Sequence, residues 1–192
     1  MRHAASVLLC GLLLAGGAPG GMAVETVPQD RIEASRAVAG SFAAELKEAL
    51  TKEMAAGGPI AAVDVCKEMA PQIAARASEK TGWDVARTSL KPRNPSNGPD
   101  GWEAEMLQAF ADRKAAGEDP AKLEASAIAE DGGQKRFRYM KAIPTASMCL
   151  ACHGTDIDPE LRAHLDELYP EDAAVGYRVG DIRGAFTITQ PM

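Results

Sequence analysis

The chain has 192 residues, room for one domain with its own core and too little for two comfortable ones. It carries 21 basic and 27 acidic residues, a net charge of −6, and the basic residues are scattered, which excludes a polyanion-binding surface and nucleic acid as a partner. Aromatic residues make up only 5% of it while alanine is abundant, a composition suited to helices on a modest sheet.

Residues 1–23 have the layout of a secretory signal: a basic start, MRH, an apolar run, AASVLLCGLLLAGGA, and a small-residue exit, PGGMA. Cleavage is expected after Ala23, giving a periplasmic protein. The apolar run is short for a bilayer span and ends in Gly and Pro, so no stable membrane span is expected afterwards. Cys10 lies deep in that run behind Leu9, where lipid attachment would want a small residue, and it leaves with the signal. The mature chain keeps Cys66, Cys149 and Cys152, an odd count that argues against a simple disulfide framework.

Residues 24–29 read as a flexible lead to a single domain over 30–192. Asp30 is placed to cap a helix to about Ala56, with Val38, Phe42, Leu46 and Leu50 as its apolar stripe. The GGP at 57–59 ends it. Ile60, Val63, Cys66, Ala70, Ile73 and Ala77 then share one face of a second helical segment, bent or restarted at Pro71, which turns Cys66 inward. Residues 83–90 read as a strand, followed by the irregular loop KPRNPSNGPDG. Asp100 and Glu103 have capping-box spacing and open a helix to about Ala115. Two strands, 123–129 and 134–143, meet in a hairpin at EDGG; a short helix covers 159–168; a last hairpin joins VGYRV to GAFTIT. The five strands imply an α+β domain, an antiparallel sheet with helices packed on one side.

The stretch CLACHG, Cys149 to Gly154, carries the chemistry. A zinc site needs four ligands, usually in two paired knuckles, and only Cys66 and His164 remain beyond the motif. A thioredoxin-like pair belongs at a helix start early in a βαβ unit, whereas this pair follows a hairpin late in the chain. Haem c accounts for more: two thioethers at Cys149 and Cys152 anchor the macrocycle, and His153 brings its imidazole to the iron. That attachment takes place outside the cytoplasm, in accord with the signal.

The second axial position is open on residues alone. Met69, Met106, Met140 and Met148 would give a higher-potential cytochrome, His164 a bis-histidine haem, and an empty position a gas-binding site. Cys66 is a fourth candidate. A free thiol is a liability in an oxidising compartment unless something occupies it, and ferric iron would do so.

The blocks AAVDVCKEMAP, RTSLKPRNPSNGPDGWE, CLACHG and GYRVGDIRGAFTI occur in this order in a family of exported single-haem proteins with a PAS-like fold, and the chain resembles that family from about Asp30 to Ile188. The family is often catalogued as a domain of unknown function, alone or as the sensory input of bacterial signalling proteins. The resemblance implies a PAS-like five-stranded sheet with flanking and N-terminal helices, attachment at Cys149 and Cys152, and His153 and Cys66 as axial ligands. Arg93, and less directly Arg87 and Lys91, are candidates to pair with the haem propionates. The resulting expectation is a non-enzymatic sensor of redox state or a small gas. An electron-transfer cytochrome c is the alternative; a peroxidase would need a distal acid–base group, for which no histidine stands out. No transmembrane or kinase-like segment follows the domain, so any signal must pass through a signalling or redox protein partner, and a homodimer is open.

Overall fold

The computed structural model describes residues 26–192, so the expected signal segment, Cys10 included, lies outside the described residues. The first helix, α1, spans Gln29–Asp64. Pro28 precedes it without a side-chain cap, and Asp30 falls in the first turn instead of at the cap, where its charge still faces the positive helix end. Gly58 breaks α1 with φ 72°, a value that favours glycine, and Pro59 starts the next stretch.

A π-helical turn, Val65–Met69, joins α1 to α2, Ala70–Thr81. Pro71 explains the turn: it has no N–H to donate one turn back, and its ring crowds the carbonyl there. The backbone widens, and the N–H of Ala70 reaches the carbonyl of Val65. The bend expected at Pro71 is this turn, and Cys66 sits in it.

Four strands form one antiparallel sheet in the order β1-β4-β3-β2: β1 Asp84–Thr88, β2 Glu124–Asp131, β3 Gln134–Pro144 and β4 Ile182–Pro191. The β2–β3 hairpin closes at Gly132–Gly133 as anticipated. The fifth strand expected over 175–179 does not form. Its backbone is engaged elsewhere: Gly176 N–H bonds the carbonyl of Gly154 and Tyr177 N–H that of His153, both at 2.9 Å.

Helices cover both sheet faces, not one. On one side α1 and α2 bury Phe42, Leu46 and Ile73 against Val85, Phe137, Tyr139, Phe186 and Ile188. On the other, α3, Gly101–Ala115, packs Leu107 and Phe110 on Met140, Ala142 and Ala185. Asp100 and Glu103 form the capping box that starts α3. A single turn, α4 (Leu150–His153), carries the end of the cysteine motif, and α5 (Pro159–Leu168) packs Leu161 and Leu165 on Val63. Among the described residues no helix is long and apolar enough to cross a membrane.

Two features of strand pairing set the character of the sheet face toward α1. The register aligns Arg87, Phe186, Lys141 and Glu124 in one row across all four strands, on that face. Where the row gives way to the motif end, Gly184 pairs with Ile143 but Ile182 with Pro144, so Arg183 is an extra, bulged residue of β4.

Candidate functional site

Between α1, the π turn, the sheet and the cysteine motif lies a cavity of about 720 Å³. That volume is within the roughly 300–1,000 Å³ typical of cofactor and ligand pockets. Ala39, Gly40 and Ala43 leave the α1 wall shallow, while Phe186, Gly184 and Ile143 form the sheet floor. Gly184 is required there: a Cβ would lie 2.3 Å from the backbone oxygen of Thr88.

Cys66, Cys149, Cys152 and His153 all line this one cavity, although Cys66 comes from the other half of the chain. Cys149 ends a 3₁₀ turn, Ser147–Cys149, and Cys152 and His153 follow on α4, which puts the three on the same wall. All three cysteines are free thiols. Burial raises the Cys152 thiol above its ordinary range against the pull of Arg93, so it stays protonated.

His153 is the most defined group of the site. Its Nδ1 lies 2.7 Å from the carbonyl oxygen of Ala174. A carbonyl only accepts, so Nδ1 carries the hydrogen and Nε2 keeps its lone pair. Burial, then the charges of Arg183 and Arg93, push the imidazolium down to a pKa of about 2, outweighing the Ala174 contact. The ring is neutral and oriented, with its lone pair on Nε2, the state a metal ligand needs. Tyr177 packs edge-on against it at 6.2 Å.

Arg93 is buried and already paired. Its Nε donates to Asp172 Oδ2 at 3.1 Å, and Nη2 donates to the carbonyl of Cys152 at 2.5 Å and reaches that of Ala174 at 3.5 Å. Arg93 therefore clamps the motif helix to the 172–174 segment while also lining the cavity. Lys91 turns to the carbonyl of Val175 and the ring of Tyr177. Arg87 does face the cavity, with its guanidinium 5.8 Å from the ring centroid of Phe42.

Among the other axial candidates, Met106 and Met140 pack on the α3 side of the sheet, Met69 is exposed and His164 is not on the cavity wall. Met148 lines the cavity, and so does Met54. Met54 extends the Val38, Phe42, Leu46, Leu50 stripe by one more interval of four, a signal the sequence held. Arg183 was missed for a different reason: the bulge that turns it inward is a property of strand pairing. Its Nη1 donates to Ser89 Oγ at 3.0 Å, and its Nε approaches His153 Nε2 at 3.5 Å. At the far end Tyr139 donates to Glu124 Oε2 at 2.8 Å, and Glu124 also holds Arg36.

The donor set distinguishes the chemistries. Among the described residues no three His, Cys, Asp or Glu side chains converge as ligands of a bare metal ion would. Three thiols and one oriented imidazole lining a single cofactor-sized cavity instead fit a flat macrocycle that brings four ring donors of its own.

Residues 23–191 match the Tll0287-like family model. The chain belongs to the Tll0287-like family. Its fold is similar to the crystal structure of the cyanobacterial heme protein Tll0287, with a TM-score of 0.66 and 24% identity over 86% of this chain and 98% of that one. No curated protein matches the chain. A structural likeness at that identity establishes the fold of this Tll0287-like chain.

Proposed function

We propose that this protein is an exported c-type haem protein with a PAS-like domain and His/Cys axial ligation, acting as a sensor of redox state or of a small gas. What carries this reading is the convergence of Cys66, Cys149, Cys152 and His153 on one cavity of about 720 Å³. The haem protein named among its structural relatives supports it. When bound, the group supplies a one-electron couple and two axial positions on its iron.

The chain's own residues do the rest. Cys149 and Cys152, free thiols on the cavity wall, would anchor the group as thioethers. His153 offers the Nε2 lone pair, held in place by the bond from Nδ1 to Ala174. Cys66 would offer a sulfur donor that favours the oxidised state and would be held less firmly on reduction. The π turn around Cys66 would be the element able to shift if the sulfur lets go, since π turns are insertions frequently found at functional sites. No catalysis is assigned: among the described residues His153 is the only histidine on the cavity wall. A periplasmic location and a signalling or redox protein partner, with or without a homodimer, belong to the same reading.

An electron-transfer cytochrome is the second reading, favoured by Met54 and Met148 on the cavity wall. The Cys66→Ala variant separates the two. A sensor with sulfur ligation loses its thiolate absorption and electron paramagnetic resonance signature in the ferric state. An unchanged variant spectrum contradicts Cys66 as ligand and leaves the methionine-ligated carrier.

A further inference from the structure

Four arginines line the cavity, and two have counter-ions, Arg36 in Glu124 and Arg93 in Asp172. The Asp172 side chain is wholly buried. Among the described residues Arg87 and Arg183 form no ion pair: Arg87 has the Phe42 ring, and Arg183 has Ser89 Oγ, the carbonyl of Lys91, the Tyr177 ring and His153 Nε2. Both side chains are half-buried on the cavity wall. Two uncompensated cations held in one partly dry space are costly unless something brings negative charge to them.

The fold has gone out of its way to aim both. Arg87 stands opposite Phe186 in the row facing α1. Alternation along β4 would send Arg183 to the other face from Gly184, toward α3, but the bulge turns it back into the cavity. Ser89 fixes that bulge by donating to the carbonyl of Arg183 at 2.8 Å. The guanidinium of Arg183 also rests beside the His153 nitrogen that iron would need, so it must swing aside for a metal centre to sit there.

We infer that Arg87 and Arg183 form a carboxylate clamp, in which each guanidinium pairs with one acidic side arm of the bound macrocycle and so fixes its rotation in the cavity. The clamp rests on the proposed haem function and names the two contacts that orient the group. Guanidinium suits the task because its planar fork meets a carboxylate through two parallel hydrogen bonds.

The test uses the haem-loaded protein and the variants Arg87→Gln, Arg183→Gln and Arg87→Lys. Resonance Raman bands of the propionate arms and the midpoint reduction potential are measured for each, with far-ultraviolet circular dichroism reporting the fold. Each Gln variant is expected to shift a propionate bending band and to lower the potential, because a lost cation makes the ferric charge easier to hold. Arg87→Lys keeps the charge without the fork, so its potential returns toward the parent value while the band stays shifted. Gln variants with parental bands and potential overturn the clamp alone. A parent protein purified without haem overturns the reading beneath it.

Discussion

Asp172 has no exposed side-chain surface, yet the orientation of His153 traces back to it. Its Oδ1 accepts the N–H of Ala174 at 2.8 Å and its Oδ2 the Nε of Arg93 at 3.1 Å. The carbonyl of Ala174 then meets the imidazole, and Arg93 ties down the carbonyl of Cys152. Asp172→Ala strands a buried guanidinium, a loss of about 3–5 kcal/mol of stability. Asp166→Ala, which breaks a surface pair with Arg162, is expected to cost no more than about 1 kcal/mol. Urea denaturation of the two variants checks this, and equal losses would contradict the placement of Asp172 at the root of the site. Cys149, Cys152 and His153 were legible in the sequence because the motif is contiguous. The role of Arg93 was not, because its partner lies 79 residues away and only folding brings the two together.

At the scale of elements, the helices were legible wherever local chemistry decided them. The capping box at Asp100 and Glu103, the break at 57–59 and the bend at Pro71 each have a cause within a few residues. The fifth strand failed because hydrogen bonds to the cysteine motif compete for its backbone, a tertiary effect that alternation cannot reveal. The β4 bulge was hidden for the same reason. It also yields a prediction. At Gly184, beside the bulge, a Cβ would lie 2.3 Å from a backbone oxygen of β1, which cannot rotate away. Gly184→Ala is therefore expected to push β1 and β4 apart at the cavity floor and to cost about 1–3 kcal/mol. Thermal unfolding of the variant should show a clearly lowered midpoint; a midpoint equal to the parent's would mean the strands have room the structure denies them.

Across the whole molecule, the sheet is a partition. The α3 side is a closed apolar core, with Phe110 and Met140 fully buried and Glu103 satisfied by Thr187 at 2.7 Å. The α1 side is packed at one end and hollow at the other, and the row of Arg87, Phe186, Lys141 and Glu124 marks the boundary. That division keeps a rigid scaffold under a cavity whose roof is a helix broken at Gly58 and loosened at Cys66. If this hollow end holds a haem bound through Cys149 and Cys152, acid–acetone extraction of the mature protein tests it most directly. Exported in a host with an active haem-ligation system, the parent chain should keep its colour in the protein pellet, and a Cys149→Ala, Cys152→Ala double variant should release it to the solvent or never acquire it. A colourless parent, or a double variant that retains haem through extraction, would contradict covalent haem attachment at this site.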